Sequence, residues 1–442
     1  MEAPQKTIVG LFQSNTAKMI MVGFLTLVLL IPLALVQDLI DERSKRQDEV
    51  VNEISSKWGE NVYFYGPVLK VPYKTYEESV SVVGKQAVTQ RKATVSYAYF
   101  FPEKLAASTD VKTKVRSRNN YESVLYTAAM KFTGNYTRPD FSSKSIPDAD
   151  IMWNKATLVI NTTNLKSIKN QVAINLNGKS YSFEPVFDAR RRAIQSLETG
   201  YIPASAFTDK TSFSFDITYD GSRDIRIVPV GKTTSVKMTS NWHSPKFSGN
   251  YLPTDDRTVT DNGFTADWNV LHINRPFSQQ YFGTMPDLSE FAFGVDFIIP
   301  VNQYLQNERA AKYGFLVIGL TFLIFFLIQT ISKIRIHIFQ YTMIGLALVM
   351  FYTLLISITE HSSFSFAYII ASLSVVTMIS LYSISILKNR KFPAFIAGSL
   401  AAMYGFIYVI IQMEQYALLF GSIGLFAILG AVMYVSRKID WN

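Results

Sequence analysis

Between Tyr313 and Val435 the chain is almost continuously apolar, split by short polar connections into five runs. These are Tyr313–Ile331, Ile338–Ile358, Phe364–Leu387, Phe392–Ile411 and Tyr416–Val435. Each has the roughly 20 residues a helix needs to cross a hydrocarbon layer about 30 Å thick. A sixth run, Met19–Val36, follows Lys18 and precedes Asp38, Asp41 and Glu42. Its end, Ala34-Leu35-Val36-Gln37, lacks a small-x-small cleavage pattern, so it reads as a retained signal anchor rather than a removed signal peptide.

The connections alternate in charge. Ser332 to His337 and Lys388 to Lys391 are basic, whereas Glu360–Ser363 and Gln412–Gln415 carry Glu360 and Glu414 and no Lys or Arg. With the N-terminus in the cytoplasm, every loop obeys the positive-inside rule, and the expected topology puts both termini inside. The stretch between the first and second spans then lies outside. Only 17% of residues are charged, below the quarter or so of an ordinary globular chain, which fits lipid contact. Much of the +9 net charge comes from Lys6, Lys18, Lys333, Arg335, Lys388, Arg390, Lys391, Arg437 and Lys438, opposed there only by Glu2 and Asp440. The basicity is therefore a topology signal, and no nucleic-acid partner is expected. Membrane lipids are expected partners; the oligomeric state is left open. The chain has no cysteine, which excludes disulfides, thiolate metal sites and cysteine nucleophiles.

None of the five C-terminal runs contains Asp, Glu, Lys, Arg or His. Ion-coupled transport usually needs such groups inside the membrane. The small residues Gly398, Ser399, Ala401 and Ala402, and Gly421, Gly424 and Gly430, read as close helix packing, with a substrate cavity as the alternative.

The sequence divides into a cytoplasmic N-terminus (1–18), an anchor (19–37), a juxtamembrane helix (38–59), two β units (60–178 and 179–300), a linker (301–312), a five-span bundle (313–435) and a cytoplasmic tail (436–442). In the juxtamembrane segment Gln47, Val50, Val51, Ile54 and Trp58 recur at helical spacing, with Glu42 and Arg46 placed for an i,i+4 ion pair and Gly59 for the helix end. Its apolar stripe is expected to dock on the outer domain, with a partner helix as the alternative. From Val62 onward the period becomes two. Thr94–Tyr99 and Ser212–Ile217 alternate cleanly, Leu158–Asn161 reads as a strand, and Val172–Leu176 runs into the hairpin signal Asn177-Gly178. The fold class expected is six membrane helices plus an all-β or β-dominated extracytoplasmic domain.

That domain matches itself. Lys131-Phe132-Thr133-Gly134-Asn135-Tyr136 returns 115 residues later as Lys246-Phe247-Ser248-Gly249-Asn250-Tyr251, and Trp153-Asn154 returns as Trp268-Asn269. Ser96–Tyr99 aligns with Ser212–Phe215, and Tyr63–Val68 with Tyr181–Val186, at offsets of 116 and 118. Two homologous β units packed as pseudo-twofold halves are the expectation. The Gly-Asn pair reads as a turn, with a ligand-binding loop as the alternative.

Constellations for catalysis are sparse. The histidines are His243, His272, His337 and His361, without metal-ligand spacing, and no P-loop, G-x-S-x-G or G-x-G-x-x-G occurs. Glu360-His361 is the one adjacent carboxylate–imidazole pair, read as an interfacial cap or a contact to the soluble domain, with acid/base catalysis as the alternative. His337 reads as a headgroup contact or helix end. Asn135-Tyr136-Thr137 and Asn161-Thr162-Thr163 match the glycosylation pattern, which has meaning only in a eukaryotic secreted protein.

Several motifs resemble the CreD family of bacterial inner-membrane proteins. They include Glu42-Arg43 with Arg46, Trp58-Gly59, Gly66-Pro67-Val68-Leu69, Pro229-Val230-Gly231-Lys232 and Trp242-His243-Ser244-Pro245. Most specific is Pro300-Val301 through Tyr304, Glu308-Arg309-Ala310, Lys312-Tyr313-Gly314, Arg335-Ile336-His337, Gln340-Tyr341 and Glu360-His361. Two positions depart from the family pattern: Ile338 stands where Pro is usual, and Gln329 where an acid is usual. The resemblance implies an inner-membrane protein linked to cell envelope integrity, associated with a two-component stress response and altered colicin tolerance, with no defined reaction. A non-enzymatic envelope protein without cofactor or metal is therefore expected, with other envelope proteins as partners besides lipids, its candidate functional interface being Glu360, His361, His337, Gln340, Tyr341, Glu308 and Arg309. The alternatives are a transporter or lipid-handling protein, and a membrane-linked hydrolase.

Overall fold

A computed structural model describes residues 15–83, 86–118, 121–186, 195–299, 303–387, 391–413 and 416–437. Glu2, Lys6, Pro300, Val301, Lys388, Arg390, Glu414, Lys438 and Asp440 lie outside the described residues. The chain divides into two compact units, Met1–Glu49 with Val301–Asn442, and Val50–Pro300.

The first unit is helical. Six helices among the described residues are long and apolar enough to cross a membrane. Helix α1 (Asn15–Trp58) holds the anchor and the juxtamembrane segment in one unbroken run. Its residues Val22, Leu25, Leu29, Leu33, Val36 and Ile40 are buried at three- and four-residue spacing, while Phe24, Leu27, Ile31 and Leu35 are exposed, as a lipid-facing surface requires. Residues 301–312, expected as a linker, instead contain helix α2 (Gln303–Lys312), because Tyr304, Asn307, Ala310 and Ala311 recur on one face and are buried. The spans that follow are α3 (Gly314–Ser332), α4 (Ile338–Thr359), α5 (Phe364–Leu387), α6 (Lys391–Gln412) and α7 (Ala417–Ser436), within two residues of the expected limits. Close packing falls at Gly314 and Gly345, where an added Cβ would meet Leu33 Cδ1 at 2.7 Å and Leu29 Cδ1 at 2.1 Å.

The second unit is a two-layered β structure. One layer holds β1 (Val62–Val83), β2 (Gln86–Phe100), β5 (Thr157–Thr162), β8 (Gln195–Thr199), β10 (Asp224–Ile227), β12 (Pro245–Gly249), β15 (Gln280–Phe282) and β16 (Phe293–Phe297). The other holds β3 (Lys104–Arg118), β4 (Tyr121–Thr137), β6 (Ala173–Leu176), β9 (Lys210–Ser222), β11 (Thr233–Ser240), β13 (Thr258–Thr260) and β14 (Gly263–Leu271). Strand β7 (Lys179–Val186) joins them, pairing with β6 through Lys179–Ser182 and with β8 through Phe183–Val186. The β6–β7 hairpin turns at Asn177-Gly178 with both φ angles positive, as an Asn-Gly turn demands. Between the layers Phe64 of β1, Phe132 of β4 and Phe215 of β9 form a triangle of stacked rings, with centroids 4.2, 4.8 and 6.1 Å apart.

The pseudo-twofold packing is not what the strands form. Lys131–Tyr136 lies within β4, flanked by β3 and β9, whereas the matching Lys246–Gly249 lies on β12, which pairs with β16 alone. Trp153 opens a short 3-10 turn, while Trp268 sits in β14. The halves differ in strand order because parallel pairing of β1 with β10 and of β3 with β11 draws strands from both sequence units into each layer. Nor is the first copy of the motif a turn. Gly134 lies in mid-strand, where a Cβ would meet the Lys104 carbonyl oxygen at 2.1 Å, so the glycine serves strand approach.

The end of α1 is fastened within the β unit. Val50 and Ser55 are buried, Arg223 bonds the Asn52 side chain, and Lys166 Nζ donates to the Ser56 carbonyl at 2.8 Å. Of the expected stripe, Val50 is buried, Val51 and Ile54 are half-buried and Trp58 is 38% exposed. Arg46 pairs with Glu49 at 2.9 Å, one turn on, in place of the expected Glu42.

Candidate functional site

The seven candidate residues separate into two clusters at opposite ends of α4. That helix has 22 residues, hence a length of about 33 Å at 1.5 Å per residue, too far for one site.

At its C-terminal end Glu360 caps the helix, its N–H donating to the Ile356 carbonyl at 3.1 Å. Arg43 of α1 places Nε 3.4 Å from Glu360 Oε1, with the two side chains 44% and 22% exposed. Gln37, almost two turns earlier on α1, donates its amide to the Ala311 carbonyl at 3.2 Å. Asn307 of α2 is buried, donates to the Gln303 carbonyl at 3.0 Å and accepts from the Thr359 hydroxyl at 3.4 Å. Three helices are thereby tied by polar groups at one level. Glu308 pairs with Lys312 at 2.5 Å along the same face of α2, and Arg309 beside it is half-buried. His361 is exposed, and its N–H donates to the Ile358 carbonyl at 3.0 Å.

At the other end His337 is the N-cap of α4. Its Nδ1 accepts from the Phe339 N–H at 3.2 Å, and its own N–H donates to Gln340 Oε1 at 2.9 Å, a reciprocal capping box. Tyr341, fully buried, donates its hydroxyl to Gln329 Oε1 of α3 at 2.9 Å. At Gln329, where the family pattern has an acid, the amide oxygen keeps the acceptor role. Each cluster thus satisfies helix ends or joins helices.

Two features escaped the sequence. A lateral apolar groove of about 780 Å³ runs between α3, α6 and α7, lined by Leu327, Phe395, Ser399, Ala402, Phe406 and Gly424 among others, with Lys391 at one end. Of the small residues expected to pack helices, Gly424 does so, a Cβ there meeting Phe406 Cζ at 2.0 Å, while Gly398 and Gly430 meet nothing within 4 Å and Ser399 and Ala402 line the groove. The second feature is a row of cations on β3, whose signal, basic residues at every second position from Lys112 to Arg118, is visible in the sequence.

In the β unit the charged cluster is Asp224, Arg226 and Asp296, with Arg226 Nη2 2.8 Å from Asp296 Oδ1 and Asp224 opposite Asp296 in register. Burial raises the Asp224 carboxyl above its usual range; Arg226 opposes that shift and Asp296 adds to it. Burial also lowers the Arg275 guanidinium to about 10, over the Phe277 ring at 4.4 Å. Among the described residues no three His, Cys, Asp or Glu side chains are grouped to hold a metal ion.

Comparison with known proteins gives one consistent relation. The chain is 28% identical to the inner membrane protein CreD of Escherichia coli strain K12 over 417 residues, 94% of this chain and 91% of that one. Among solved structures, an M1 zinc metallopeptidase from Deinococcus radiodurans aligns over 45% of this chain and 42% of its own at 9% identity, with a TM-score of 0.21. A putative protease from Parabacteroides distasonis aligns over 57% and 50% at 6% identity, with a TM-score of 0.24. Neither likeness carries weight at such scores. The model of the family described as inner membrane protein CreD matches residues 14–442, and the chain belongs to that family.

Proposed function

We propose that this protein supports cell envelope integrity without catalysing a reaction, as an inner-membrane bundle presenting its β domain on the periplasmic side. One observation carries this reading: the polar side chains singled out as candidate chemistry act as caps and ties. Glu360 pairs with Arg43, His337 caps α4, and Tyr341 bonds Gln329. Groups held for structure are poorly placed to move protons in a reaction cycle. The positive-inside pattern supports the periplasmic placement. On this reading the stress response and colicin tolerance associated with the family follow from the state of the envelope.

The test is complementation of cells lacking the protein, scored by survival in detergent. His361→Ala and Glu360→Gln chains, present at normal levels, are expected to restore survival fully, while a chain lacking residues 60–299 restores none. Loss of rescue with His361→Ala would instead favour a hydrolase.

The groove favours a second reading, lipid handling. Its lining is apolar and its volume lies within the range of ligand sites, roughly 300–1,000 Å³. If lipid passage is the activity, Ala402→Trp, which fills the groove, abolishes rescue; as a passive lipid contact it leaves rescue intact.

A further inference from the structure

Strand β3 outruns one of its neighbours. Its parallel pairing with β11 stops at Val111, whereas its antiparallel pairing with β4 continues to Arg118. On this protruding stretch Lys112, Lys114, Arg116 and Arg118 occupy alternate, exposed positions. Their partners on β4 are Thr127, Leu125, Ser123 and Tyr121, none of them acidic. Arg118 alone is neutralised, its Nη1 lying 2.6 Å from Glu53 Oε2.

The other three converge. Lys112, Lys114 and Arg116 line a pocket of about 170 Å³ together with Trp58, Thr127 and Asp220. Asp220 does not balance them, because it is already engaged. Its side chain is 6% exposed, with one oxygen 2.7 Å from the Thr127 hydroxyl and the other 2.7 Å from Lys169 Nζ. Three cations thus face one cavity with no ion-pair partner among the described residues. Residues two apart on one strand face are about 7 Å from each other, close enough for like charges to repel. A fold selected for stability alone has no use for that repulsion; an anion in the pocket relieves it. Beside the cations stands Trp58, 38% exposed, offering a flat apolar wall.

We propose that this pocket binds an anionic glycan, its phosphate or carboxylate held by Lys112, Lys114 and Arg116 and a sugar ring resting on Trp58. Lysines supply point charges for the anion and Arg116 a planar pair of donors. The proposal rests on the envelope reading for the source of the glycan, but its chemistry does not depend on it.

The test is isothermal titration of the purified full chain in non-ionic detergent with phosphorylated dextran oligosaccharides. Unphosphorylated dextran, inorganic phosphate and vesicles of anionic phospholipid serve as separate arms. Phosphorylated dextran is expected to bind, more weakly as salt rises, and the neutral dextran and inorganic phosphate about tenfold more weakly or not at all. The variant Lys112→Gln with Lys114→Gln and Arg116→Gln is expected to lose about tenfold or more in affinity, with its melting temperature unchanged or higher. Trp58→Leu loses less. Equal binding by neutral dextran or by inorganic phosphate, undiminished binding by the triple variant, or binding confined to vesicles would each overturn the proposal. A failed titration alongside successful complementation by the triple variant would leave the envelope reading standing and remove only this site.

Discussion

The β unit and the helical unit spend their small and aromatic residues in opposite ways. In the β unit several glycines sit where backbone meets backbone: a Cβ on Gly294 of β16 would lie 1.8 Å from the Ile225 carbonyl oxygen. Its core is built on buried aromatic rings, as in the Phe64–Phe132–Phe215 cluster. In the last two spans Gly398, Gly405 and Gly430 have nothing within 4 Å, and Phe426 of α7 is 80% exposed. The central window of α7 contributes no buried residue at all. Water drives apolar side chains inward, whereas lipid is as apolar as they are and leaves packing optional. The unit in water must close its core tightly; the unit in lipid can leave a groove.

That contrast can be broken by substitution, read as thermal unfolding of the detergent-solubilised chain. Trp58, Trp153, Trp242 and Trp268 lie in the β unit and Trp441 in the tail, so tryptophan fluorescence of a Trp441→Phe chain follows the β unit, and far-ultraviolet circular dichroism at the helical minimum follows the helical unit. The largest effect is expected for Phe132→Ala, which removes the ring stacked on both Phe64 and Phe215 at a cost of about 3–5 kcal/mol. Phe426→Ala should leave unfolding nearly unchanged, and a comparable loss there would show that α7 is packed. Next comes Gly294→Ala, about 1–3 kcal/mol destabilising because the opposing atom is backbone and cannot swing away. Gly398→Ala should instead gain about 0.5–1 kcal/mol by favouring the helix, and a loss would reveal a neighbour pressed on that face.

Smaller effects sharpen the electrostatic side. Glu360→Gln removes the partly exposed pair with Arg43 and should cost at most about 1 kcal/mol, shrinking as salt is added. Asp224→Asn should raise the melting temperature at pH 7. Because the folded carboxyl has a raised pKa, the native state loses stability as pH climbs from the unfolded value through the folded one. The gain from the variant therefore disappears below about pH 4, where both states are protonated. Equal gains at pH 3 and pH 7 would assign the effect to something other than charge.

How much of this was legible follows from range. The spans could be read because lipid demands about 20 unbroken apolar residues, a purely local condition. Strands such as Ser212–Ile217 and the Asn177-Gly178 turn were legible for the same reason. The parallel pairings of β1 with β10 and β3 with β11 were not, since they join strands far apart in sequence, and so a repeat in sequence suggested a symmetry absent from the sheet. Helix α2 was missed because ten residues with Glu308, Arg309 and Lys312 look like a polar connection until Asn307 is seen facing Thr359. Glu360 stands at the end of its helix, but its partner Arg43 belongs to another helix and no local rule points to it. The groove depends on how α7 stands off α3 and α6, which composition does not encode.

The central claim is that the β domain faces the periplasm from an inner-membrane bundle, and the cysteine-free chain allows a direct test. Single cysteines at Asp255, exposed in the β unit, and at Arg335, exposed between α3 and α4, can be labelled in intact spheroplasts with a membrane-impermeant maleimide. The account predicts labelling of Asp255→Cys in intact spheroplasts and of Arg335→Cys only after lysis. Labelling of Arg335→Cys before lysis, with Asp255→Cys protected, would contradict it.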